Sequence, residues 1–414
     1  MVTIPKNLVQ YLAGILLLAS LTACGGSSSS SETIPNSVTI FYAHNLVFKN
    51  NTTLATGYNG FGQLGTGDLK SRDTLGTLAA YYPFKGFATG GVHSVAFLND
   101  GTVMSWGYNG FGQLGNNSTT YSAKPVPVVN FSGAKAVAAG AYHTLALKSD
   151  DTLWSWGKND AGQLGVAENT DLDDSEKKDP GYRVKPVQVK AGGATFSNIS
   201  SIAANGHHSL ARANGLVWAW GLNGSGQLAI DPKTTGALAS PSAVAGLPPG
   251  GIDAIASGGA FNYALARNGT VWAWGNNDSG QLGNNTTLSS YIPVQVLKAP
   301  DVALTAVIQV AAGIQHGLAL LRDGAVWAWG YNAFWQLGNV TNQASSNLDS
   351  PVAVQVLADA AGAPLKDVTE IRAFGSSSMA RIGKDWYVWG DNAFGQLGIG
   401  ANSRIPLPEK MSGF

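Results

Sequence analysis

The chain has 414 residues, with 25 Lys plus Arg against 25 Asp plus Glu and a formal net charge of zero. Charged residues are 12% of the total, about half of the ~25% usual in globular proteins, which excludes a polybasic nucleic-acid binder and an acidic disordered chain. With 53 Gly, 12 Trp and 44% hydrophobic residues, the composition is that of a turn-rich body with a large core, and the lone cysteine excludes a disulfide framework.

Residues 1–23 read as a secretion signal and not as fold. Lys6 leads into the apolar run 8–20 (LVQYLAGILLLAS), which is too short to span a membrane as a helix. The run ends in Leu21-Thr22-Ala23-Cys24, which resembles the lipobox of bacterial lipoproteins. That resemblance implies cleavage before Cys24 and lipidation at it. Several acyl chains hold a protein stably on a membrane where one does not. Residues 24–37 form a Gly/Ser-rich tether, with a reach of roughly 20 Å for a dozen such residues. Gly25 stands where an Asp would retain an enterobacterial lipoprotein in the inner membrane, so the expected localisation is the bacterial cell envelope, at the outer membrane.

From residue 38 to 414 the sequence repeats. One string recurs seven times: TGYNGFGQLG (56–65), WGYNGFGQLG (106–115), WGKNDAGQLG (156–165), WGLNGSGQLA (220–229), WGNNDSGQLG (274–283), WGYNAFWQLG (329–338) and WGDNAFGQLG (389–398). A second echo (GVHSVAF at 91–97, AYHTLAL at 141–147) precedes it by about 13 residues, and a third (KPVPV at 124–128, IPVQV at 292–296) follows it. Each unit divides into four short alternating strands. Pairs such as Asn268-Gly269 and Asp323-Gly324 supply tight turns that match strand twist. In TVWAW, Trp272 and Trp274 share one face while Val271 and Ala273 share the other. Sheets apolar on both faces must be covered by neighbours, so the expected fold is all-β, a seven-bladed β-propeller of four-stranded antiparallel blades.

These motifs resemble the repeats of the regulator of chromosome condensation, a seven-bladed propeller family, and the resemblance covers residues 38–414. Departures are local: Leu54 and Thr56 replace aromatics in unit one, Ala229 replaces the last Gly in unit four, and Trp335 replaces a Gly in unit six. The chain opens on three strands of a unit (38–56) and closes on Ile405–Glu409. Pairing of these ends, with the loops after GQLG crossing between blades, is the expected ring closure. A phasing in which 38–80 forms a blade of its own is the alternative.

The G-x-G-x-x-G copies at 60–65 and 110–115 lack the following helix that a dinucleotide site needs, and read as turns that require positive backbone dihedrals. Within each turn the Asn can cap its own backbone, the Gln can satisfy loop amides and the Leu can plug the core. His44, His93, His143, His208 and His316 are taken as equivalent, with Asn262 and Ser378 in the other units. Blades hold such positions too far apart for one ion, so they are expected to bond to neighbouring backbone. Asp171, Asp173, Asp174, Glu176 and Asp179 in the insertion 166–183 lack an EF-hand's glycine and closing Glu, which makes a solvated loop the expectation.

No H-E-x-x-H, Walker loop, C-x-x-C or G-x-S-x-G occurs. The reading is therefore a binding module with no catalytic residues, cofactor or metal. It is expected as a monomer that engages an envelope or extracellular protein or glycan, binds no nucleic acid and touches the membrane through its anchor only. The rival is an envelope hydrolase or lyase with a site assembled from several blades, which a carboxylate cluster in the central pocket would favour. The variable turn positions carry aromatics in units six, seven, one and two: Tyr58, Phe61, Tyr108, Phe111, Tyr331, Phe334, Trp335 and Phe394. In a closed ring these four units are adjacent. The eight residues are expected to form one continuous arc for a partner, against the alternative that they pack only between turns.

Overall fold

A computed structural model describes residues 43–49, 52–166, 181–340 and 349–413. The signal segment, the tether with Cys24 and most of the acidic insertion lie outside the described residues. The rest folds as a seven-bladed propeller. Blades two to seven span 84–127, 134–188, 199–243, 252–295, 307–355 and 368–410, each an antiparallel four-stranded sheet in sequence order. Three strands of blade one are described, His44–Lys49, Thr52–Gly57 and Arg72–Thr77.

The local chemistry explains the units. In blade two, Phe84–Thr89, His93–Leu98, Val103–Gly107 and Ser122–Pro127 pair as neighbours. The first strands of blades two to seven line the centre, where Ala88, Ala138, Ala204 and Ala312 surround a cavity of about 210 Å³. Small side chains are what seven converging sheets allow there. The apolar faces meet between blades in seven clusters, one per junction. Leu46, Ala55 and Leu64 of blade one pack on Phe84, Met104 and Trp106 of blade two. At the ring's ends Val47 packs on Met379, Trp386 and Val388 of blade seven.

Two expectations about the chain path are corrected. Ile405–Lys410 pairs with Asp385–Gly390 inside blade seven and not with the first strands of the chain. The loop after GQLG does not cross between blades either: it returns to the fourth strand of its own blade. In turns one, two and five the turn's Asn holds this return, its Nδ2 donating to carbonyls 9 and 11 residues further on; at Asn59 these are the Asp68 and Lys70 carbonyls, at 2.9 and 3.1 Å. Crossings follow the fourth strand instead. Two of them are short ribbons, Lys190–Ala191 with Ala194–Thr195 and Leu297–Ala299 with Val302–Ala303. The phasing is thus the one in which each unit fills its own blade.

Candidate functional site

The seven GxNxxGQLG turns follow the third strand of every blade and so share one face of the ring. Each is built alike. In blade one, Asn59 Oδ1 accepts from the Leu64 amide at 2.9 Å and Gln63 Oε1 accepts from the Phe61 amide at 3.0 Å. Leu64, Asn59 and Gln63 are fully buried. Gly62 has φ +80°, and a Cβ there would stand 2.4 Å from Ala123 Cα of blade two. The turn is therefore pressed against its neighbour's last strand, which only glycine permits without strain.

The Gln main-chain carbonyl then reaches the next blade. The Gln63 carbonyl accepts from Trp106 Nε1 at 2.9 Å and from Ser94 Oγ at 2.8 Å. Trp156 with Thr144, Trp220 with Ser209, Trp274 with Asn262 and Trp389 with Ser378 repeat this on Gln113, Gln163, Gln227 and Gln336. In blade six Gly317 stands at the hydroxyl position, and Tyr263 of blade five donates instead to the Gln281 carbonyl at 2.6 Å. A Cβ on Gly317 would lie 2.4 Å from that tyrosine hydroxyl.

The histidines complete this bond. His44, His93, His143 and His316 place Nε2 at 2.9 Å from the hydroxyls of Ser94, Thr144, Ser209 and Ser378. Each hydroxyl spends its one proton on the Gln carbonyl, so Nε2 must carry the proton and donate. His208 donates likewise to Asn262 Oδ1 at 2.7 Å. The partner is thus a neighbouring side chain and not the expected backbone. The alignment also shifts by one residue: Phe261 and Ser377 pair with Gly275 and Gly390 as His93 does with Gly107. Asn262 and Ser378 occupy the hydroxyl position.

Complete burial lowers the pKa of His44 and His208 to about 4 and of His93 and His316 to about 3, and holds His143 well below its ordinary value. Among the described residues their Nδ1 atoms have no partner that could receive a second proton. Each histidine sits at its own junction, and among the described residues no three His, Cys, Asp or Glu stand close enough to hold a metal ion.

The aromatic residues lie on the same face, half-buried. Ring centroids step from Phe394 to Tyr58 (5.2 Å), Phe61 (6.2 Å), Tyr108 (5.1 Å) and Phe111 (6.3 Å). The ladder continues to Tyr142, 5.2 Å from Phe111, with Lys158 Nζ 5.1 Å above the Phe111 ring. Tyr142 and Lys158 escaped the motif comparison because Tyr142 belongs to the second strand's echo and Lys158 is not aromatic. In blade six Tyr331 and Phe334 pair at 5.8 Å, and Arg404 stacks on Phe334 at 4.4 Å. Blade seven carries Asp391 at the tyrosine position. Trp335 has φ +69° at the position held by glycine in the other six turns, a conformation that costs a bulky residue about 1–3 kcal/mol.

Neither cavity offers an acid. The central one has Thr89, Asn205 and Ser257 as its polar lining; a second, of about 520 Å³ beside blade one, has Lys85 and Arg372. No carboxylate lines either among the described residues.

The family model described as the regulator of chromosome condensation (RCC1) repeat matches residues 100–147, 150–212, 268–320 and 323–380. The chain is similar to the mitochondrial RCC1 domain-containing protein RUG3 of Arabidopsis thaliana, 33% identical over 49% of this chain and 44% of that one. It is also similar to pim1 of Schizosaccharomyces pombe, 33% identical over 43% of this chain and 33% of that one. The match thus spans less than half the length of these relatives. Among solved structures, human WBSCR16 superposes with TM-score 0.74 at 21% identity, covering 88% of this chain and 94% of that one. Saccharomyces cerevisiae Prp20p, described with its binding properties to Gsp1p and histones, gives 0.70 at 22% identity, over 90% and 88%.

The histidines set an acid limit. Unfolded, they titrate near 6.5; folded, they resist protonation down to 3–4. The unfolded chain therefore binds more protons between these values, and stability present above pH 6.5 is lost as pH falls. The melting temperature should be flat from pH 8 to 7 and fall from 6.5 to 4, at about 1 kcal/mol or more per histidine. A flat profile across that window would contradict the buried neutral assignment.

Proposed function

The chain belongs to the regulator of chromosome condensation (RCC1) repeat family, and from that premise we propose that it is a protein-binding propeller that docks its partner on the aromatic ladder. The observation that carries this reading is the ladder itself: Phe394, Tyr58, Phe61, Tyr108 and Phe111 stay half-exposed in a row on one face. Turns three to five manage with Ala161, Ser225 and Ser279 at the phenylalanine position, so turn closure does not require a ring. Rigid aromatics with few rotatable bonds are the favoured anchors of protein interfaces. Prp20p, a structural neighbour, is described as binding proteins. Strain at Trp335 marks the Tyr331–Phe334 pair of blade six as part of that surface.

Alanine changes at Phe61 and Phe111 should each weaken a partner captured from envelope extracts by about 1–4 kcal/mol while the fold keeps its cooperative melt. Retained capture in well-folded variants would overturn the reading.

The proposal places this propeller at the cell envelope, supported by the Leu21-Thr22-Ala23-Cys24 motif. Cys24→Ser should leave the protein unprocessed or soluble. Mature Cys24→Ser protein that still partitions with membranes would refute the anchor.

A further inference from the structure

We propose that the junction between blades seven and one is where the ring opens, and that a partner docked across Phe394 and Tyr58 holds it shut. This regulation of the docking surface rests on the ladder being that surface. The other six junctions each close on a Gln main-chain carbonyl that accepts from an indole and from a second buried donor. The seventh carbonyl belongs to Gln396, which is just as buried, and none of the described residues donates to it. The residues that replace its donors explain why. Thr56 stands in the indole's place and directs its hydroxyl to the Gly395 and Arg72 carbonyls, at 2.7 and 2.9 Å. Asn45 stands in the hydroxyl's place, and its Nδ2 lies 3.7 Å from Met379 Sδ, a weak acceptor. Ser377, at the histidine position, donates within its own blade to the Asp391 carbonyl at 2.7 Å.

Opening therefore has a different cost here. Parting any of the other six junctions breaks two hydrogen bonds to a buried carbonyl. Parting this one breaks the bond from Thr56 to Gly395, but Thr56 keeps its acceptor Arg72 in blade one, and the Gln396 carbonyl gains the water it lacks when buried. At the rim the Gly400 amide donates to the Asp73 carbonyl at 2.8 Å, and Lys49 reaches the Gly413 carbonyl from an exposed position. The ladder passes directly over this seam. Phe394 of blade seven and Tyr58 of blade one meet edge to face, with centroids 5.2 Å apart at 67°, so opening separates the two rings. A ligand that touches both binds the closed ring better than the open one, and its binding and the closure favour each other reciprocally. The contact of Phe61 with Tyr108, at 5.1 Å, crosses a junction whose carbonyl already has both donors, so a partner there adds little to closure.

The molecule carries its own reporters of opening. Four junctions have the same cross-blade amide bond two residues after the turn: Gly67 to the Ala123 carbonyl, Asn117 to Val184, Asn285 to Pro351 and Gly400 to Asp73, at 2.8, 3.0, 2.8 and 2.8 Å. Native-state hydrogen exchange of the full chain, followed by NMR, reads them side by side. Gly400 is expected to be about tenfold less protected than the other three. Phe394→Ala should lower its protection by about threefold more and leave Asn285 unchanged, and Tyr58→Ala should do the same from the other side of the seam. Leu222→Ala, an exposed change in blade four, should leave all four amides as they are. The Gly395 amide, bonded inside turn seven to the Asn392 carbonyl at 3.0 Å, shows whether Phe394→Ala has loosened its own turn; if it has, Tyr58→Ala decides, because it leaves that turn's residues intact. Equal protection of the four amides overturns the proposal, and so does a Gly400 that neither ring deletion alters. Both results leave the ladder as a docking surface. Partner capture that survives Phe61→Ala and Phe111→Ala defeats the docking surface instead, and with it the partner's hold on the seam, whatever the exchange shows.

Discussion

A main-chain carbonyl, that of the glutamine in each turn, is where one blade becomes attached to the next. Its turn is folded by its own blade, yet its two donors, an indole and a hydroxyl, amide or phenol, are at five of the six such junctions supplied entirely by the following one. Everything around it serves that bond. Asn and Gln side chains hold the loop so that the carbonyl points outward, Leu fills the core beneath, and a glycine lets the turn lie against the neighbour. A buried carbonyl left without donors costs roughly 1–3 kcal/mol, so a repeat that forms the turn gains most when its neighbour is present. This is the physical content of a repeat that folds only in an array.

The junction between blades seven and one is built differently. Thr56 replaces the tryptophan and donates to the Gly395 carbonyl at 2.7 Å. Ser377 stands at the histidine position, and Asn45 Nδ2 reaches Met379 Sδ at 3.7 Å. Closure rests on these contacts, on the packing of Val47 against blade seven and on the Gly400 amide bonded to the Asp73 carbonyl at 2.8 Å. Among the described residues no strand is shared across it. Thr56 is a smaller side chain than the tryptophan that stands at this place in the six other turns.

Much of this was legible in the residues. Seven copies of one string give the blade count, and alternating apolar strands give sheets covered on both sides. The roles of Asn59, Gln63 and Leu64 follow from the chemistry of a glycine turn. What escaped was the partner of each group across the junction, because it lies 31 to 66 residues away in sequence. Spacing alone placed Asn262 and Ser378 one residue off, and the closing strand was assigned to the wrong blade because strand order inside a sheet is not encoded in a repeat's period. Tyr142 joins the ladder from a different strand, which no comparison of turns could show.

The same construction accounts for the functional face. Once carbonyl, Asn, Gln and Leu secure a turn, its variable positions are free to differ, and in blades seven, one and two they carry rings. The central claim, that the shared carbonyl binds blade to blade, is tested most directly by comparing two Trp→Phe changes in denaturant unfolding. Trp106 donates to Gln63 across a junction, whereas Trp272 donates to Thr270 within its own blade at 3.2 Å. The account predicts that Trp106→Phe costs about 1–3 kcal/mol more than Trp272→Phe, and equal costs for the two would contradict it.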